Sequence, residues 1–302
     1  MPLNFAGLLF FGICWGVSMP LSKIAVSAGH HPMGMIIWQM AAVVVVFSLY
    51  HVLKRKAIGL GRRHIAYLLL IIVVGTVIPN SFSLLALAQL PAGIMAIVIA
   101  TVPIFSLLIA LLARIEGFSW VRMIGVLLGV TALILIAVPD SALPDAAAAP
   151  WILVALIAPF CYAAEGNYVA VYAPKDLSAM ATLLGASIIG LVVLLPLVYF
   201  NGWQVTVFVP WDVSRWAMLA ASLGHMVAYT GYLWLLNRAG AVFTSQVAYV
   251  VTLTGVLASV LFLDERYGLI LWVAVALMLV ALALVRPIAK PAITTSTEAD
   301  VV

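Results

Sequence analysis

Charge is scarce in this sequence. Lys, Arg, Asp and Glu together make up 8% of its 302 residues, against about 25% in a soluble globular domain. Hydrophobic residues make up 66%. A sphere in water cannot hide that much apolar surface, so most of it must face lipid. Cysteine is scarcer still. Cys14 and Cys161 both fall inside apolar runs, which excludes a disulfide framework and offers nothing like the paired CxxC of a zinc site. HExxH, GxSxG and the Walker glycine loop are all absent. The sequence therefore gives no basis for metalloprotease, serine hydrolase or ATPase chemistry, and it implies no cofactor and no metal. The net charge of +4 comes from basic residues in short loops between apolar runs. They read as topology signals and not as a surface for nucleic acid.

What is abundant is uninterrupted apolar sequence. Gly, Pro and charged clusters divide the chain into ten runs, at about 4–27, 34–53, 65–88, 92–113, 121–138, 151–173, 178–200, 214–237, 242–263 and 267–286. Each approaches the roughly 20 residues that cross a bilayer core. They are apolar on all sides, which predicts helices, because barrel strands alternate apolar and polar residues. The first run has no Lys or Arg ahead of it and so lacks a signal peptide's basic start. It is expected to be a retained span. The polar residues 287–302 are expected to form a short disordered cytoplasmic tail.

The basic residues fix an expected orientation. With both termini in the cytoplasm, Lys54, Arg55, Lys56, Arg62, Arg63, Arg114, Arg122, Lys175, Arg238, Arg286 and Lys290 lie inside. Only Lys23, Arg215 and Arg266 lie outside. That is a strong positive-inside bias. The longest outer loop, Pro139–Pro150, holds Asp140 and Asp145 and no basic residue.

The sequence also echoes itself. Glu116 and Glu265 end the fourth and ninth runs, 149 positions apart. Leu90-Pro91-Ala92 stands opposite Ala239-Gly240-Ala241 at the same offset, and Cys14-Trp15-Gly16 opposite Cys161-Tyr162-Ala163 at an offset of 147. Residues 1–140 and 150–286 thus read as two copies of a five-span unit. Five is odd, so the second copy enters the membrane upside down. The expected fold is an all-α membrane protein of ten transmembrane helices in two inverted five-helix repeats, an arrangement that allows alternating access.

Trp15-Gly16 with Lys23, Pro103 thirteen residues before Glu116, and Glu265 followed by a long apolar run resemble the EamA-type transporters of the drug/metabolite transporter superfamily. The resemblance covers about residues 5–286. It departs from the pattern at Thr252, which stands where the second copy often has Pro, and at Ala163, which replaces Gly. It implies a secondary carrier of the bacterial inner membrane that exports amino acids, amines or related amphipathic compounds. It implies no enzyme activity.

Ionisable and polar groups at membrane depth are costly unless paired or wet, so each is a candidate. Glu165 lies within about 5 Å of the centre of the sixth run at a rise of about 1.5 Å per residue, with Tyr162 and Tyr168 at i−3 and i+3. Such a carboxyl could bind an ammonium group among aromatics. It could equally carry a proton, since burial penalises the charged form, or be held in structural hydrogen bonds. His225, Tyr229 and Tyr232 form one stripe on the eighth run. Trp15 is too deep for an interfacial residue, Asn80 follows Pro79 and matches Tyr229 at the 149 offset, and Gln246 and Tyr249 share a face. The expected substrate-binding set is Trp15, Asn80, Tyr162, Glu165, Tyr168, His225, Tyr229, Gln246 and Tyr249, with Glu165 as proton carrier. For each, ordinary packing is the competing reading.

Other residues have plainer expectations. Lys23 should snorkel to outer headgroups, and Trp38, Trp203, Trp211 and Trp272 should anchor the interface. Glu116 and Glu265 should be structural. Gly125 and Gly129 give a GxxxG spacing that suits a contact within the chain or a homodimer, the former first. The partners expected are a small-molecule substrate and the lipid bilayer. Competing functions are a carrier of anionic or nucleotide-linked metabolites, a lipid-modifying membrane enzyme and a non-transporting sensor. The first needs cationic cavity groups, for which only His225 and Lys23 could serve, and the second lacks clustered polar groups at an interface.

Overall fold

A computed structural model describes residues 2–55, 59–114, 117–137, 146–206, 209–244 and 246–285. Glu116, Lys56, Asp140, Asp145, Arg286, Lys290 and the tail fall outside them. Every long element is a helix: α1 (Pro2–Ser27), α2 (Pro32–Lys54), α3 (Ile65–Ile72), α4 (Ile78–Gln89), α5 (Ala92–Ile99), α6 (Val102–Leu112), α7 (Trp120–Ala137), α8 (Pro150–Tyr172), α9 (Ala179–Phe200), α10 (Val213–Thr244), α11 (Val247–Leu263) and α12 (Leu269–Val285). Seven helical runs are long and apolar enough to cross a membrane: α1, α2, the continuous run Arg62–Gln89, the run Ala92–Leu112, α7, α8 and α9. The helices α11 and α12 are apolar but shorter. Phe10, Leu49, Leu112, Val192, Phe200, Leu261 and Leu269 point outward, each more than half exposed. A water-soluble protein does not leave such a girdle uncovered. The chain is a multi-pass membrane protein.

Two of the expected continuous runs are interrupted, both at proline. Pro79 has no N–H to give the Gly75 carbonyl, and the helix widens to a π segment over Val73–Val77 between α3 and α4. Pro103 sits in the first turn of α6, just past a break at Ala100 and Thr101, where the Thr101 hydroxyl donates to the Val98 carbonyl at 2.6 Å. At the matching place in the second half, Thr252 donates its hydroxyl to the Ala248 carbonyl at 2.8 Å, and α11 runs through without a break. The expected eighth run is longer than its apolar stretch, because α10 continues to Thr244.

Helices of the first half pack on helices of the second. The helix α1 lies against α10 and α11, α8 against α4, α5 and α6, α2 against α9 and α10, α3 against α9, α5 against α11, and α7 against α12. The two halves interleave and do not fold as separate bodies. The GxxxG pair serves this packing. A Cβ on Gly125 would lie 2.8 Å from the Leu284 Cβ and 2.9 Å from the Ala281 carbonyl oxygen, so α12 occupies that face.

Charged groups tie the loops at both ends. At one end, His30 hydrogen-bonds the Ser214 hydroxyl at 2.9 Å, Ser214 donates to Asp212 at 2.8 Å, and Arg215 pairs with Asp212 at 2.9 Å. The Ser214 hydroxyl and the Arg215 backbone N–H hold Asp212 at about 2. His31 stacks on Trp203 with ring centres 4.3 Å apart, and Trp38 and Trp211 meet edge to face beside them. At the other end, Arg63 reaches Asp176 at 2.5 Å and His64 reaches it at 3.2 Å. Burial pushes Asp176 up, but its backbone hydrogen bond and the Arg63 and His64 charges outweigh that and leave it below the usual carboxylate range.

Lys23 does not reach toward headgroups. Its Nζ donates to the Leu87 and Ala88 carbonyls at 2.7 and 3.2 Å, in the last turn of α4. Glu265 accepts the backbone N–H groups of Ala92 and Gly93 at 2.9 and 3.2 Å, at the first turn of α5. A cation thus stands at a helix C-terminus and an anion at a helix N-terminus, each where the helix dipole favours it. Unpaired carbonyls near a bilayer outbid solvent for a lysine of this reach, which is why snorkelling loses.

Packing of α7 on α12 predicts that Gly125→Ala destabilises the protein by about 1–3 kcal/mol through overpacking. Gly166→Ala, where an added Cβ meets nothing within 4 Å, should leave the unfolding temperature in detergent unchanged or slightly raised. Equal effects of the two would contradict this packing.

Candidate functional site

The bundle holds a cavity of about 60 Å³, walled by α1, α2, α4, α5, α8 and α10. Its lining includes Trp15, Ser18 and Ser22 of α1, Met35 and Gln39 of α2, Asn80 and Ser83 of α4, Met95 of α5, Tyr162 of α8, and Met218, Ser222 and His225 of α10. These positions come from the C-terminal part of α1 and the N-terminal parts of α2, α5 and α10. The cavity therefore lies toward the end of the bundle that bears the 28–31 and 201–212 loops. A second space of about 20 Å³ lies deeper, lined by Gln39, Gly75, Thr76, Ser187, His225 and Tyr229 among others. Gln39 and His225 border both.

Local helix geometry sets each side chain. Trp15 projects from α1 into a cage of rings: Tyr162 at 6.5 Å, His225 at 6.0 Å and Tyr232 at 6.1 Å between centres, all edge to face. Aromatic pairs favour that arrangement. His225 and Tyr229, one turn apart on α10, lie parallel with centres 6.1 Å apart. A hydrogen-bond chain crosses the floor. The Tyr162 hydroxyl donates to Asn80 Oδ1 at 2.7 Å, and Asn80 Nδ2 donates to Gln39 Oε1 at 3.2 Å.

Glu165 sits behind this floor. It is 3% exposed, and the Tyr229 hydroxyl donates to its Oε1 at 2.5 Å. Its carboxyl is nested on Gly75, where any Cβ would overlap the carboxyl atoms. Gly75 lies in the π segment that precedes Pro79, so the helix is widened and bare just where the carboxylate rests. Every fully buried side-chain nitrogen or oxygen among the described residues has a hydrogen-bond partner. Glu165 is thus a satisfied group, held between α8, α10 and the Val73–Val77 segment.

Of the residues expected in the site, Trp15, Asn80, Tyr162 and His225 line the larger cavity and Tyr229 lines the smaller one. Glu165 joins them through Tyr229. Tyr168 is turned away: it stacks on Tyr67 of α3 at 6.2 Å and meets Tyr172 at 5.0 Å. Three residues is close to one helical turn, but the third side chain meets α3, not the cavity. Gln246 stands just before the first turn of α11 and Tyr249 in it, at the end of the bundle away from the larger cavity. Neither is among the residues lining the two cavities.

Sequence reasoning did not single out Gln39, Gly75 or the serine and methionine lining. A lone Gln in an apolar run was the available signal for the first, and Gly four residues before Pro79 for the second. The repeat does surface here: Trp15 and Tyr162, matched at the 147 offset, touch each other, and Asn80 and Tyr229, matched at 149, each hydrogen-bond a side chain of α8.

An apolar helical bundle with a polar, ring-lined cavity between its halves is the build of a membrane protein that handles small molecules. A family model described as the EamA-like transporter family matches residues 5–138 and 149–286. The chain belongs to that family, whose members are membrane transporters of small molecules. No curated protein matches it. A solved structure described as "Crystal structure of protein" is similar in fold, with a TM-score of 0.59 at 14% identity over 90% of this chain and 94% of that one.

If the Glu165 carboxyl rests on Gly75, Gly75→Ala should lower thermal stability in detergent by about 1–3 kcal/mol. Glu165→Ala in the same chain should recover most of that loss, a coupling of contacting residues. Strictly additive effects would mean that the two do not touch.

Proposed function

We propose that this protein is a secondary carrier working by alternating access, with ten membrane spans arranged as two inverted five-helix repeats, residues 1–140 and 150–286. The pattern of helix packing supports the repeat reading. Exchanging the halves turns the contact of α1 with α10 into that of α8 with α4, and the contact of α2 with α10 into that of α9 with α3, while α2–α9, α5–α11 and α7–α12 map onto themselves. With both termini in the cytoplasm of a bacterial cell, as the basic residues suggest, the larger cavity faces outward.

The single observation that carries the mechanism is the sealed carboxyl. Glu165 is buried on the closed side of the cavity floor and bonded to Tyr229. Of the two active roles open to it, ammonium partner or proton carrier, this position favours the second. When the cavity opens to the other side, α10 and the π segment must part. Glu165 then meets water and exchanges its proton there. Export of small amphipathic metabolites, with amino acids and amines as the class suggested by the sequence resemblance, fits a carrier driven by an inward proton gradient. The anionic-cargo reading is disfavoured because, of the two groups that could serve it, Lys23 is taken up by the α4 carbonyls and His225 alone lines the cavity.

The test is flux in proteoliposomes with labelled amino acids, amines and nucleosides. A pH gradient should drive accumulation of at least one of them by the parent. Glu165→Gln should lose that accumulation, tenfold or more, yet keep exchange of the same solute without a gradient. Unchanged gradient-driven flux in Glu165→Gln would remove the carboxyl from coupling, and no flux of any of these solutes by the parent would refute them as its cargo.

A further inference from the structure

The larger cavity has a chemical character of its own: among the described residues, His225 is the one ionisable side chain besides Tyr162 that lines it. No Asp, Glu, Lys or Arg is among the described residues lining it. Glu165, the nearest carboxyl, is spent on Tyr229 and Gly75. Lys23, on the same helix as the lining serines, is spent on the α4 carbonyls. His225 meets rings on two sides, Trp15 and Tyr229, and no carboxylate among the described residues bonds it. An ion moving into this space would leave water for a site with no counter-charge, which is unfavourable.

What the walls do offer is polarisability and donors. Four methionines, Met19, Met35, Met95 and Met218, line the cavity with the Trp15 indole. Thioethers and aromatic faces attract flat, polarisable rings and adapt to their outline. The hydrogen-bond chain has a direction. Tyr162 gives its proton to Asn80 and Asn80 gives one to the Gln39 carbonyl oxygen. Gln39, Ser22 and Ser83 line the cavity, and no hydrogen bond donated by the Gln39 amide or by either serine hydroxyl is found among the described residues. A donor of this kind, fixed from behind, recognises an acceptor such as a carbonyl oxygen.

We propose that the cargo is an uncharged aromatic or heteroaromatic compound bearing a carbonyl acceptor, admitted when the cavity widens beyond its present volume of about 60 Å³, with its ring against Trp15 and the methionines and its acceptor on the Gln39 amide. This rests on the transport reading given above for the site, and within that reading it sets neutral cargo in place of the free amines and amino acids that the sequence suggests. Gln39 is the specificity-determining residue.

Three ring-matched probes separate the possibilities: indole-3-acetamide, which is neutral with a carbonyl, tryptamine, a cation, and indole-3-acetate, an anion. Affinity is read as ligand-dependent thermal stabilisation of the purified full chain. The amide should bind at least tenfold more tightly than either ion. Gln39→Glu, which keeps an acceptor for Asn80 and places a carboxylate on the wall, should shift the preference toward tryptamine by tenfold or more. Tryptamine or indole-3-acetate binding the parent as tightly as the amide, or no binding by any probe, would overturn the proposed class. An unchanged preference in Gln39→Glu would overturn the role of Gln39. The carrier reading fails separately, if the amide binds but does not cross proteoliposome membranes.

Discussion

One carboxyl buried in a lipid-embedded bundle constrains this structure more than any other group. A charged or even polar side chain at that depth is tolerated only with partners, and Glu165 takes them from two other elements. Tyr229 supplies a donor from α10, and the widened helix at Gly75 supplies room. The room depends in turn on Pro79, whose missing N–H frees the backbone to relax into a π segment. Three elements from both halves of the chain therefore meet at one oxygen pair. The floor of the cavity is the upper surface of that knot.

The same logic, at the opposite level of the bundle, explains the Leu90–Pro91 turn. Its two helix ends are held by Lys23 and Glu265, charges that come from the first and the second half. Backbone groups at helix termini lack partners within the helix, and in an apolar setting water is a poor substitute. Lys23 and Glu265 are thereby committed to backbone groups, and Glu165 to Tyr229. That leaves the cavity wall to hydroxyls, amides, rings and thioethers, and makes its neutrality a consequence of where the charges went.

The helical architecture was legible in the sequence because lipid imposes a simple code of long apolar runs with basic loops. All ten runs correspond to helical stretches among the described residues. The prolines were legible as perturbations but not as shapes: Pro79 made a π segment and Pro103 a break, and which one follows depends on neighbours that sequence does not display. Cavity-lining residues were legible when they were ionisable or aromatic at depth, as with Trp15, Tyr162 and His225. Tyr168 and Tyr249 carry the same signal and serve packing, since a helix face cannot say which neighbour it meets. Gln39 and Gly75 carried almost no signal, because their importance comes from what faces them. Lys23 was misread for a related reason: its carbonyl partners lie on another helix, more than sixty positions along the chain.

The central claim is that the Tyr229–Glu165–Gly75 contact separates the larger cavity from the opposite side of the membrane. Cysteine labelling with a membrane-impermeant maleimide, added from the face that bears the 28–31 loop, tests it directly in a chain freed of Cys14 and Cys161. Ser83→Cys on the cavity wall should label, and Thr76→Cys beside Gly75 should stay protected. Equal labelling of both from that face would contradict the account, because the cavity would then run through to Glu165.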